Sequence, residues 1–159
     1  MILKDVVFED FVNFSSPAMY LIFPKCSFKC DRECGRPVCQ NGAIAKMEDK
    51  DISIDYLVDE YIVNSLTHAI VCAGLEPFDS WEDLQALVKK FRIYTEDPII
   101  IYTGYTEKEL ADKIPALAQY ENIMVKFGRY VPDKESHMDR LLGVKLASPN
   151  QYAKWVSEV

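Results

Sequence analysis

Four short runs in this chain are apolar almost throughout: Ala18 to Phe23, His68 to Ala73, Ile99 to Tyr102 and Asn122 to Phe127. Strands with this pattern are buried on both faces, as in a parallel sheet covered by helices. The segments between them have helical period. Ser53 is placed to cap a helix carrying Ile54, Leu57, Val58, Tyr61 and Ile62 on one stripe. Ser80, with Asp83 three residues on, opens a second helix bearing Trp81, Leu84, Leu87 and Phe91. Thr106 and Glu109 form a capping box for a third, stopped near Pro115. Alternation of strand and helix predicts an α/β fold with a mostly parallel sheet. Asp133 to Gly143 reads as a polar loop or short helix, and Tyr152, Trp155 and Val156 fit either a short helix or a docked tail. No linker, repeat or low-complexity stretch divides the chain. Residues 1–159 are therefore expected to form a single domain, large enough for a core without disulfide staples.

Charge narrows the functional classes. A net charge of −7 with no basic stripe argues against nucleic-acid binding. No apolar run is long enough to span a bilayer, and no leader pattern opens the chain, so a cytoplasmic protein without membrane attachment is expected. Thiols stay reduced in that compartment, and five cysteines is an odd number for a disulfide framework.

Four of those five, Cys26, Cys30, Cys34 and Cys39, fall within fourteen residues directly after the first apolar run. Thiolates this dense are ligands for zinc or for an iron–sulfur cluster. Zinc could take all four in a structural site, but structural zinc pairs usually come as two knuckles separated by a longer segment. Three thiolates on a cluster leave one iron free for a substrate. Gly74-Leu-Glu-Pro77 follows the second run and Thr103-Gly-Tyr105 the third. Consecutive parallel strands end on one face, so these three loops are expected to meet there. Cys72 sits inside the second run as a small buried hydrophobe, and His68 and His137 have no ligand spacing. Lys25, Lys29, Arg32 and Arg36 decorate the cysteine loop of an otherwise acidic chain. They offer either a docking patch or a solvated basic loop.

Cys26-Ser-Phe-Lys-Cys30, Val38-Cys39-Gln-Asn41, Gly74-Leu-Glu-Pro77, Tyr102-Thr-Gly-Tyr105 with Thr106 and Glu109, and Ser148-Pro-Asn-Gln151 occur in one order along most of the chain. In that order they resemble the radical S-adenosylmethionine (SAM) superfamily, and within it the activating protein of the anaerobic, glycyl-radical ribonucleotide reductase. The family has two residues between its second and third cysteine; here three precede Cys34 and eight precede Cys39. Cys39 is favoured as third ligand by its Gln-Asn sequel, with Cys34 the alternative. Leu75 replaces a second glycine, and Phe127 stands where an acidic residue precedes the final glycine.

The resemblance implies a partial (incomplete) radical-SAM-type βα barrel, since a full one takes about 250 residues. It also implies a 4Fe–4S cluster on Cys26, Cys30 and Cys39, and SAM bound by Val38, Gly74, Leu75, Glu76, Pro77, Tyr102, Thr103 and Gly104. Asn150 and Gln151 would hold the active-site face closed. The implied reaction is reductive cleavage of SAM to a 5′-deoxyadenosyl radical, which removes a hydrogen atom from a glycine of the reductase. A low-potential donor such as flavodoxin or ferredoxin would supply the electron. A radical SAM enzyme acting on another peptide or small molecule, or a non-catalytic zinc-binding module, are the alternative readings.

Overall fold

The computed structural model describes residues 1–157. Its centre is a six-stranded sheet. β3 (Ala18–Phe23), β5 (Ile70–Gly74), β6 (Ile99–Tyr102) and β7 (Ile123–Phe127) are parallel neighbours in that order. These are the four apolar runs, within two residues at each end. β2 (Asp5–Asp10) and β10 (Tyr152–Trp155) extend the sheet antiparallel at its two edges. Apart from it, β1 (Ile2–Leu3) and β4 (Lys50–Asp51) pair antiparallel as a short ribbon. The main sheet does not close on itself, so the fold is a partial βα barrel.

Two helices cover one face: α3 (Ile54–Val63) and α4 (Trp81–Tyr94). Ser53 caps α3, accepting from the Tyr56 N–H, and Leu57, Val58 and Tyr61 are buried as the stripe predicts. Ile62 turns outward instead and is exposed. On α4, Leu84, Leu87, Val88 and Phe91 point inward. Tyr61 and Phe91 meet edge to face at 5.5 Å, and the Tyr61 hydroxyl donates to Asp97. From the sheet, Met19, Leu21, Phe23, Ile70, Cys72, Ile99, Ile101, Ile123, Val125 and Phe127 complete this core. Cys72 is fully buried there, as expected of a small hydrophobe. Each fully buried aliphatic or aromatic side chain contributes about 1.5–3 kcal/mol.

The opposite face carries the alternate residues of each strand. Val71, Ile100 and Met124 pack there against Leu142 and Leu146, which a hairpin brings over the sheet. The hairpin joins β8 (His137–Asp139) to β9 (Val144–Leu146). Towards the strand C-termini this face changes character to Tyr20, Ala73, Tyr102 and Lys126, which border a cavity.

Other expectations needed correction. Thr106 and Glu109 do make the reciprocal capping bonds, but a series of turns follows. The helix there, α5 (Ile114–Ala118), carries Pro115 in its first turn rather than ending near it, because proline suits that position. Ser80 precedes α4 without a capping bond, and Asp83 accepts from the Ile2 N–H instead. Asp133 to Gly143 includes β8, and the tail is a strand. Its backbone pairs with β7, a partner that local pattern does not reveal. Among the described residues no helix is long and apolar enough to cross a membrane.

Candidate metal centre

The chain leaves β3 at Phe23 and enters the cysteine loop. Phe28 takes a left-handed conformation (φ 51°), which directs its N–H to the Cys26 sulfur at 3.2 Å. α1 (Lys29–Cys34) follows and is stopped by Gly35 at φ 68°. The returning limb is fixed by Asp31, whose Oδ1 accepts from the N–H groups of Val38 and Cys39, both at 2.7 Å. Cys39 is thereby folded back towards Cys26 and Cys30, and all three line one cavity of about 290 Å³. Cys34, at the far end of α1, is exposed and does not line it. α2 (Gly42–Ala45) then begins behind Asn41, whose side chain donates to the Gly74 carbonyl at 2.7 Å.

The second loop forms the adjoining wall. Gly74 has φ +89°, and a Cβ there would lie 2.5 Å from the Ile22 side chain and 3.0 Å from backbone atoms of Ile22 and Phe23. Only glycine fits. Leu75 is not among the positive-φ residues, so a side chain is tolerated at that position of the turn. The N–H groups of Leu75 and Glu76 bond to the carbonyls of Phe23 and Lys25. The Gly74 carbonyl is taken by Asn41 and the Glu76 carbonyl by the Asp79 N–H, which leaves the Leu75 carbonyl to offer an ammonium group.

Glu76 is 4% exposed. Its carboxylate accepts from Thr103 Oγ1 at 2.8 Å, the Gly104 N–H at 2.9 Å and the Phe78 N–H at 3.2 Å. It thus ties the third loop to the second, while Pro77 starts the short 3-10 turn Pro77–Ser80. Burial outweighs those bonds and pushes the carboxyl from 4.5 up to about 7. The folded value exceeds the unfolded one, so wild-type stability declines as pH rises between them and is level above. Glu76→Gln is expected to cost about 1–3 kcal/mol, because the amide nitrogen must face a donor. In urea unfolding, the loss should be larger near pH 5 than near pH 8, since glutamine does not titrate.

Tyr102, Thr103 and Gly104 all border the cavity. The Tyr102 hydroxyl donates to the Asn13 carbonyl at 2.6 Å. Gln151 borders it too, donating to the Gly128 carbonyl at 3.3 Å and accepting from the N–H groups of Ala147 and Ser148. Asn150 is exposed and lies outside the cavity, holding the Arg129 carbonyl at 2.8 Å. Val38 and Pro77 also lie outside it. Neither His68 nor His137 lines it.

Sequence reasoning missed Lys126. This residue is buried, faces the cavity and donates to the Gly128 carbonyl at 3.1 Å. Among the described residues no carboxylate lies within ion-pair distance of it. Burial lowers its pKa to about 8, opposed by the charges of Glu76 and Cys30. A lone lysine in an otherwise apolar strand was the available signal. Tyr20, Asp31, Asn41 and Arg129 were missed as well; their roles depend on contacts distant in sequence.

Burial raises the Cys26 thiol to about 11 and also raises Cys30, so a bound cluster would have to displace their protons. Backbone N–H groups of Phe28 and Tyr130 face the two sulfurs, the kind of hydrogen bond that tunes cluster thiolates. Among the described residues no group of three or more Cys, His, Asp or Glu side chains is arranged to hold a metal ion. A 4Fe–4S cluster would be held by the three cysteines that line the cavity, Cys26, Cys30 and Cys39.

No curated protein and no solved structure matches the chain. The family model described as a 4Fe-4S single cluster domain matches residues 18–151, from the start of β3 to the turn before β10. The chain belongs to that family of 4Fe–4S single-cluster domains.

Proposed function

We propose that this protein is a radical SAM activase that installs a glycyl radical on an anaerobic ribonucleotide reductase. The observation carrying the reading is the grouping of three cysteines at the mouth of a cavity whose other walls are the Gly74–Pro77 and Tyr102–Gly104 turns. When bound, a 4Fe–4S cluster with one iron free of protein ligands supplies the electron and the coordination site for cleaving the sulfonium of SAM.

The chain's own residues then position the ligand. The Leu75 carbonyl of the Gly74–Glu76 turn receives its ammonium group, and Lys126 supplies a buried positive charge for its carboxylate. Tyr102, Thr103 and Gly104 border its nucleoside. Gln151 closes the lower wall and restricts water. The open sheet leaves a side for a polypeptide loop to enter. Exposed Lys25 and Arg32 beside the cysteines give an acidic flavodoxin or ferredoxin a place to dock.

Lys126→Met is expected to weaken SAM binding by about tenfold or more, the worth of a charge-assisted hydrogen bond, in equilibrium dialysis against the loaded protein. An unchanged affinity would remove Lys126 from the ligand site.

The activity is tested by incubating reduced, loaded protein with SAM and a glycyl-radical reductase subunit. The expected result is a glycyl-radical signal in electron paramagnetic resonance, with methionine and 5′-deoxyadenosine released. Cleavage of SAM without a signal on the reductase would point to another acceptor.

A further inference from the structure

We propose that Arg129 and Glu109 form a clasp holding the cysteine-bearing helix against the cavity, as a positioning pair for the cluster. The inference rests on a cluster seated on Cys26, Cys30 and Cys39, and not on the SAM chemistry.

α1 buries none of its residues and has no side-chain cap. Apolar packing therefore does not hold it in place, although Cys30 lies within it. Charged contacts do. Both terminal nitrogens of Arg129 reach the Glu109 carboxylate, one of them at 2.9 Å. Its Nε lies 3.1 Å from Glu33, on α1, an ion-pair contact without hydrogen-bond geometry. Nη1 also donates to the Gly104 carbonyl at 3.3 Å. Glu109 in turn accepts from Lys29 at 3.2 Å and from the Thr106 N–H at 2.9 Å. Lys29 and Glu33 bracket Cys30 on its helix, so the clasp grips both sides of that ligand.

Exposed ion pairs are usually worth little, but a forked, networked and largely buried guanidinium is the exception. The Arg129 side chain is only 12% exposed. Its direction is set by Gly128, at φ +102°, where a Cβ would lie 2.8 Å from the Asn150 carbonyl oxygen. Arg129 borders the main cavity and also an outer depression shared with Lys29, Arg32, Glu33 and Glu109. The guanidinium is thus the partition between the cluster side and the solvent side of the loop.

Loaded, oxygen-free protein tests the clasp. Glu109→Gln and Arg129→Gln should each lose iron to a chelator about tenfold faster than wild type, the usual effect of removing a supporting contact from a metal site. Their far-UV circular dichroism should be unchanged. Cluster potentials should move in opposite directions, upward when the carboxylate is neutralised and downward when the guanidinium is. Arg129→Lys keeps the charge without the fork, so it should lose iron faster while holding its potential near wild type.

Wild-type iron loss in Glu109→Gln overturns the proposal, as do potentials shifting the same way in both glutamine variants. If Arg129→Gln fails to fold, Glu109→Gln and Arg129→Lys decide by the same readouts. A wild-type chain that holds no cluster sinks the clasp and the functional reading together. A cluster that is clasped but never cleaves SAM sinks the functional reading alone.

Discussion

Cys39→Ala protein, purified without oxygen, is expected to hold no intact cubane, while Cys34→Ala keeps the iron content of wild type. The two cysteines lie five residues apart in one loop; spacing is nearer the resembled pattern at Cys34, while the Gln-Asn sequel favours Cys39. Their surroundings separate them. Asp31 holds the N–H of Cys39 and turns its side chain to the cavity occupied by Cys26 and Cys30. Cys34 ends a helix with its thiol in solvent. A cluster on three thiolates cannot spare one, whereas an exposed cysteine away from the cavity can be removed without a metal consequence. Iron and sulfide analysis beside the visible absorption spectrum measures both variants. The reverse pattern, with iron lost in Cys34→Ala and kept in Cys39→Ala, would mean that the loop refolds around the metal.

Gly74→Ala is expected to destabilise the fold by about 3 kcal/mol, combining positive-φ strain with an overpacked contact. The added methyl would meet Ile22 at 2.5 Å, and the nearby backbone of β3 cannot move without disturbing the strand that leads into the cysteine loop. The effect should therefore reach the cluster as well as the unfolding midpoint. Gly104→Ala is the matched control. Its Cβ would sit in ordinary contact, 3.7 Å from Arg129 and Glu76 side-chain atoms, and its φ is not positive. Urea unfolding of the two variants compares them directly; equal stability would show that the β5 turn relaxes to accept a side chain.

The parallel sheet was legible because its signal is local. Runs such as Ile99 to Tyr102 are apolar in every residue, and the strand they form has the same bounds. Position followed from topology: three loops after three consecutive parallel strands must gather at one end. Edge strands were not legible. β2 is Asp-Val-Val-Phe-Glu-Asp, largely uncovered and bulged, and β10 is defined by backbone pairing with β7. The capping box at Thr106 shows the opposite failure. Its bonds form, yet Glu109 is also claimed by Arg129 and Lys29, and no helix extends from it. In the site, the cysteines and Gly74 could be read from residue type alone. Lys126, Asp31 and Arg129 could not, because a lysine, an aspartate and an arginine acquire meaning only from what they face.

The electron paramagnetic resonance spectrum of the reduced, oxygen-free protein, recorded with and without SAM, is the most direct check on a three-cysteine cluster with an open iron. About four irons and four sulfides per chain are expected, with a cluster signal that changes shape when SAM is added, because one iron has no protein ligand. A colourless protein, or a cluster whose signal is indifferent to SAM, would contradict that assignment.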